Sequence, residues 1–370
     1  MKRTTLLLTV FTAAMVMALL MVAMAFPVFA GGGDDDEEND NESASGGATR
    51  NGQIVFRRYF DPDHTKSALF TMNPDGSHIR QITHPPKGWR DDSPVWSPDG
   101  TKVAFMRFKS DESKSRIMVV NPDTANTRTV VPCTGRCVNA SDPNFSPDGH
   151  SIAYSRRVAP PNVQDPPEWK LYSAIFIVGL DGKNSYQVTS TPKRRKGQPV
   201  TFDTFTPAFS PNGKMLTFVR ANYQKENERF AVFVQPLGSP EDAQRITPWK
   251  LNCQDLPEFS PDGKLVLFRC LPKGEEGPSN LYWVHPDGTG LHALTHAPAA
   301  KQYLRSSFSP SFSEGEGWIT VGRTPSYGKE GNADVFRVLV EDGRVVRSVN
   351  LTKNTLWDSS PYWGTHPPVG

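Results

Sequence analysis

Several signatures that would point to chemistry are missing from the 370-residue chain. No Gly-x-Ser-x-Gly nucleophile elbow occurs, which removes the usual marker of an α/β-hydrolase serine. Cysteines number only four, with no Cys-x-x-Cys pair and no histidine close to any of them, so neither a metal site nor a cofactor is expected. Neither sign of charge dominates: 41 bases stand against 39 acids, for a net charge of +2. Setting aside Lys2, Arg3 and the seven acids between Asp34 and Glu42 leaves 39 bases and 32 acids from residue 43 onward, or +7. That balance argues against a nucleic-acid partner and leaves room for an anionic ligand.

Lys2 and Arg3 lead into a run, 6–25, in which only Thr9 and Thr12 are polar, followed by Phe26-Pro27-Val28-Phe29-Ala30 and three glycines. This reads as an export signal cut after Ala30, and its length also suits an uncleaved membrane anchor. Either way the rest lies outside the cytoplasm, in the periplasm, in the cell envelope or secreted, with the membrane touched only through that segment. No cysteine sits near the end of the run, so a lipid anchor is not expected. Residues 31–50 are glycine, acid, asparagine and serine with little to bury, and read as a disordered acidic linker. Folding is expected over 51–366, with 367–370 as a tail.

The organising signal is a repeat. Pro94-Val95-Trp96-Ser97-Pro98-Asp99-Gly100 is echoed from Pro143, from Pro207 with Asn212 in place of Asp, and from Pro257. A degraded fifth copy is read at Pro310-Ser311-Phe312, and a sixth, Pro361-Tyr362-Trp363-Gly364, stops where its turn should begin. Proline presets the second turn position, aspartate bonds locally and glycine accepts the left-handed conformation, so each copy is strand, tight turn, strand. Between copies lies a second hairpin, clearest in Leu69 to Gly76 with Ile82-Thr83 and in Leu281 to Gly288 with Leu294-Thr295. Two hairpins per unit and six units of about 50 residues predict an all-β, six-bladed propeller of four-stranded blades. The sixth copy lacks its second strand, and Gln53-Ile54-Val55-Phe56 is a second strand lacking its first, so pairing the two ends would close the ring.

The Pro-x-Trp-Ser-Pro-Asp-Gly and Asn-Pro-Asp-Gly elements resemble the TolB-like propeller repeats over about residues 51–366. The resemblance implies the fold and an envelope setting more than a function. The α/β domain that precedes the propeller in TolB has no counterpart between the acidic linker and the first strand. The chain also leaves no room after the last blade for the hydrolase domain that some peptidases attach to a similar propeller.

If the strand order holds, the tight turns share one face and the longer connections the other, which is where binding residues are expected. Two residues after the last anchor of each second strand comes an arginine: Arg58, Arg107, Arg156, Arg220 and Arg323. In the fourth repeat Cys270 holds that place, with Arg269 beside it. Such a collar would suit carboxylate or sulfate groups. The alternative is that each arginine pairs with an acid near a leading proline, among Asp91, Asp92, Asp142, Asp203, Asp255 and Asp358. Trp89, Trp169 and Tyr303, with Tyr59, Arg90, Arg305 and Trp357, are further candidates for contact with a peptide or glycan. His64 with Asp61 and Asp63 would hold a cation or simply form a loop turn. Lys193-Arg194-Arg195-Lys196 reads as a solvated loop tip. In an exported chain the cysteines are expected as disulfides, Cys253 to Cys270 across one hairpin and Cys133 to Cys137 around a small loop. The resulting expectation is a non-catalytic module that binds a cell-envelope protein, peptide or anionic glycan. The alternative is a carbohydrate-active hydrolase or lyase with its site in the channel mouth.

Overall fold

The computed structural model describes residues 51–159, 171–191, 202–222, 229–272, 278–297, 302–324 and 332–370. Residues 1–50, with the export segment and the acidic linker, lie outside that set, as do Trp169 and the 193–196 cluster.

Each repeat folds as one four-stranded antiparallel sheet. The first blade is β4 (Trp89–Trp96), β5 (Val103–Lys109), β6 (Ser115–Val120) and β7 (Thr127–Val131). The second is β8 (Cys137–Phe145), β9 (Ser151–Val158), β10 (Tyr172–Gly179) and β11 (Tyr186–Gln187), and the third is β12 (Phe202–Phe209), β13 (Met215–Asn222), β14 (Arg229–Pro236) and β15 (Gln244–Arg245). The fourth comprises β16 (Cys253–Phe259), β17 (Val266–Cys270), β18 (Asn280–Val284) and β19 (His292–Ala293), and the fifth β20 (Gln302–Phe308), β21 (Gly317–Thr324), β22 (Asp334–Glu341) and β23 (Arg344–Asn350). The sixth joins the two ends of the folded region: β24 (Trp357–Trp363) pairs with β1 (Ile54–Tyr59), followed by β2 (Ser67–Met72) and β3 (Arg80–Gln81). Ile54 lies opposite Trp363, so backbone hydrogen bonds close the ring as the unpaired half-blades require. The inner strands β4, β8, β12, β16, β20 and β24 touch in cyclic order and line the central channel.

The repeated residues explain the blades. In four copies the serine of the tight turn donates to the Asp or Asn two residues on, at 2.6 Å for Ser146 to Asp148 and 2.8 Å for Ser210 to Asn212. Gly100, Gly149, Gly213 and Gly263 take φ between 68° and 72°, a conformation that L side chains rarely adopt. The apolar-threonine pairs after the second hairpin have their own task. The hydroxyls of Thr83, Thr189, Thr247, Thr295 and Thr352 accept the third-strand N–H groups of Leu69, Ile175, Val232, Leu281 and Val335 at 2.9–3.0 Å. A short fourth strand is thus extended by a side chain. Apolar residues of adjoining sheets interleave, as where Val119 and Ile117 of the first blade pack with Ile152 and Tyr154 of the second.

The fifth repeat sits in a different register from that expected. Phe308, not Phe312, ends its inner strand, and the turn is Ser309 to Trp318, closed by Ser309 N–H on the Trp318 carbonyl at 2.9 Å. Ser306 therefore occupies the slot of the leading proline. An inserted mini-bridge between Ser313 and Glu316 lengthens the turn, and Pro310 is the turn proline.

All six inner hairpins carry a register shift just before the proline slot. In four of them the bulged residue, Ser93, Asp142, Thr206 or Ser360, is held at φ between 51° and 54°. A bulge re-aims the side chains around it, and these six lie where the inner strands line the channel.

Candidate functional site

The residue after the proline slot reaches the next blade. Asn144 Oδ1 accepts the N–H of Phe209 at 3.0 Å, a Glu258 oxygen accepts that of Phe308 at 3.3 Å, and Ser307 Oγ accepts that of Trp363 at 3.4 Å. Tyr362 holds the same position in the sixth blade and turns across the channel, hydrogen-bonded to Glu258 of the fourth blade and Asn144 of the second. Three alternate blades thus meet at one hydroxyl. Burial pushes the Glu258 carboxyl up to about 7, against the pull of Tyr362, Ser307 and Arg305. Burial and the neighbouring Glu258 push the Tyr362 phenol well above its ordinary range. No motif marked this cluster, because even its successive members are about 50 to 110 residues apart along the chain. The signal that could have found it is the one variable position inside an otherwise regular repeat.

The collar divides into two kinds of arginine. Arg58 forms a two-pronged pair with Asp358 at 2.7 Å on both prongs, and Arg107 forms one with Asp91 at 2.6 and 2.8 Å. In both cases the acid lies directly opposite on the inner strand. Burial pushes the Asp91 carboxyl up in spite of Arg107. Arg156 and Arg220 face Ala140 and Thr204 instead, and Arg323 faces Tyr303. These three have no carboxylate partner among the described residues. Each lies over a third-strand ring, at 5.1 Å for Arg156 on Phe176, 4.5 Å for Arg220 on Phe233 and 3.7 Å for Arg323 on Phe336. Burial alone lowers Arg220 to about 10. The expectation that every collar arginine meets an acid therefore holds at two of the five positions. Elsewhere the inner strand carries a neutral residue opposite, and the cation rests on an aromatic face.

Solved structures place this architecture. TolB from Acinetobacter baumannii superposes with a TM-score of 0.59 at 17% identity, over 85% of this chain and 66% of that one. A putative TolB from Agrobacterium tumefaciens gives 0.53 at 18% identity, over 86% and 94%. The chain folds as a TolB-like β-propeller. At these identities the likeness is one of fold. No protein-family model matches the chain. Among curated proteins, an uncharacterized protein of Agrobacterium fabrum is 30% identical over 105 residues, 26% of this chain and 35% of its own length. Dipeptidyl-peptidase 5 of Aspergillus fumigatus is 30% identical over 135 residues, 35% of this chain and 18% of the peptidase. The chain thus spans about a third or less of the length of either relative.

The loop-rich face of this TolB-like propeller carries an aromatic and charged cluster where the sixth blade meets the first. His64 stacks on Tyr59 at 4.1 Å and meets Trp357 edge-on at 4.8 Å. Burial, with Arg57 nearby, lowers the His64 imidazole to about 4, so it is neutral at ordinary pH. Arg57 pairs with Asp92 and donates to Ser359 Oγ at 2.6 Å. Asp61 is engaged within its own loop by Thr65 and the Lys66 N–H, which is the loop turn and not the cation site of the two expectations. Trp89 carries Arg116 over its ring at 4.0 Å. Tyr303 is half-buried and offers its carbonyl to Ser279 at 2.6 Å. Arg90 is not a free surface cation, since it is 4% exposed and pairs with Glu112 at 2.6 Å.

The cysteines pair as expected, Cys133 with Cys137 and Cys253 with Cys270. The second bridge joins residues directly opposite in the fourth inner hairpin. It occupies the collar position that lacks an arginine. Two disulfides fit an oxidising compartment.

Proposed function

We propose that the chain is an exported, non-catalytic binding propeller that recognises a cell-envelope protein, peptide or anionic glycan through its loop-rich face. The observation that carries this reading is the second kind of collar arginine. Arg156, Arg220 and Arg323 keep their charge partly out of water with no acid to offset it among the described residues. A ligand carboxylate or sulfate would supply the missing acceptors, and a guanidinium fork fits such planar groups. Export is supported by the N-terminal segment and the disulfides. The test is titration of the purified propeller with acidic peptides and with an anionic polysaccharide, beside a variant carrying Arg156→Gln, Arg220→Gln and Arg323→Gln. Saturable binding lost in a variant with unchanged circular dichroism supports the reading, and equal binding by both proteins sinks it.

A second reading, a carbohydrate-active hydrolase or lyase working in the channel mouth, rests on Glu258. A carboxyl held at about 7 suits proton transfer at neutral pH. Turnover of charged oligosaccharides abolished by Glu258→Gln would favour it over the binding module.

A further inference from the structure

Arg305 lies in β20 beside the channel-crossing residues and is only 7% exposed. Its Nη1 atom is sealed from solvent without a hydrogen-bond partner. Its charge is felt by Glu258 and by Tyr362, lowering the proton affinity of both, yet it forms no ion pair with Glu258. Six of the arginines described above have a visible compensation. Arg58, Arg107 and Arg90 hold carboxylates, while Arg156, Arg220 and Arg323 lie over phenylalanine rings. Among the described residues Arg305 has neither an acceptor nor a ring.

A buried guanidinium nitrogen without an acceptor bears a desolvation cost that nothing among the described residues offsets. The hydroxyls of Ser307 on the same strand and Tyr362 on the next blade stand close by, both hydrogen-bonded to Glu258. We propose that the central channel binds a small monoanionic carboxylate, seated on the Arg305 guanidinium beside Ser307 and Tyr362. One negative charge suits the place better than two, because Glu258 already stands there as a carboxyl. The groups facing Glu258 are Tyr362 and, from β20, Arg305, Ser307 and the Phe308 N–H. At the equivalent positions of the first and third blades stand Val95 and Ala208, which carry no charge. When Glu258 is protonated the cluster has a net charge of +1, and when it ionises the charge falls to zero. Anion binding should therefore tighten as the pH drops below about 7, the value to which burial raises Glu258. This site is separate from the collar and does not depend on the collar's role.

The probe is [1-13C]acetate, titrated into the disulfide-intact chain at pH 6 and pH 8 and read by saturable line broadening. Saturable binding at pH 6, weaker at pH 8 and at least tenfold weaker in Arg305→Gln, is the expected result. Whatever carboxylate the collar itself holds, the binding that tightens from pH 8 to pH 6 should survive in the collar variant Arg156→Gln, Arg220→Gln, Arg323→Gln, so its loss there alone assigns the anion to the collar and overturns the channel site. A tripeptide with a free C-terminus and its C-terminal amide then separate the sources. Competition by the acid alone assigns a peptide end, and competition by neither assigns a free small acid. Absence of saturation, or identical broadening in Arg305→Gln, overturns the proposal. Should that variant not fold, a crystal of the parent grown in bromide decides: an anomalous peak against Arg305 supports the site, and bromide ordered elsewhere with none there removes it.

Discussion

The hydroxyl of Tyr362 crosses the central channel to donate to the carboxyl of Glu258, tying the last blade to the fourth. Glu258 keeps the phenol protonated and burial acts in the same direction, whereas on Glu258 burial raises the proton affinity against the pull of the Tyr362 hydrogen bond.

A carboxyl raised from 4.5 to about 7 holds a proton in the fold that the unfolded chain releases. Its contribution favours folding at low pH and is lost as pH rises through that window, at up to about 1.4 kcal/mol per pH unit. Glu258→Gln should remove this slope. Urea denaturation at pH 5 and pH 8 measures it, and a parent-like slope in the variant refutes the assignment.

His64 acts with the opposite sign. Its imidazole is lowered from 6.5 to about 4, so the unfolded chain takes up the proton first and stability falls as pH drops from about 6.5 towards 4. His64→Phe keeps a ring between Tyr59 and Trp357 and removes the titration. Between pH 4.5 and 6.5 the two groups partly cancel in the parent. The His64→Phe protein should therefore gain stability steadily on acidification through that range, while Glu258→Gln should lose it. Thermal midpoints taken every half pH unit decide.

Arg58 and Asp358 join β1 to β24, the two strands that come from opposite ends of the folded region, and Asp358 is fully buried. Removing one partner leaves the other charge buried and unpaired, which costs about 3–5 kcal/mol. Asp358→Ala should lower the urea midpoint sharply. Replacing both residues by apolar ones of similar size should cost much less, because no stranded charge remains. A double variant as unstable as the single would show that the pair matters for ring closure beyond its charge.

The bridge from Cys253 to Cys270 spans 17 residues and that from Cys133 to Cys137 spans 4. In the chain-entropy estimate they contribute about 3 and about 2 kcal/mol. Replacing each pair by serine should lower stability in that order, and reductant should shift the parent but not a protein lacking both pairs. Denaturation with and without dithiothreitol checks both statements.

The blade count, the closure and both disulfides were legible in the sequence because each depends on local chemistry repeated at a fixed interval. A Ser-Pro-Asp-Gly turn can be read from four residues, and a half-blade at each end implies a partner. The fifth copy was misread for the same local reason: Ser309-Pro310 keeps the turn, but Ser306 has replaced the proline that set the frame. Arg58 and Arg107 pair with acids close to the leading prolines, whereas Arg156 and Arg220 have Asp142 and Asp203 equally close in sequence but meet Ala140 and Thr204 across the hairpin, as Arg323 meets Tyr303.

What the sequence alone determined is the repeat: turn chemistry, strand alternation and the spacing of cysteines act between residues a few positions apart or across one hairpin. What only the tertiary structure decided is which side chains meet at the axis. Tyr362, Glu258, Asn144 and Arg305 come from four blades, and curling six sheets into a ring brings them together through burial and hydrogen bonds that no linear spacing encodes.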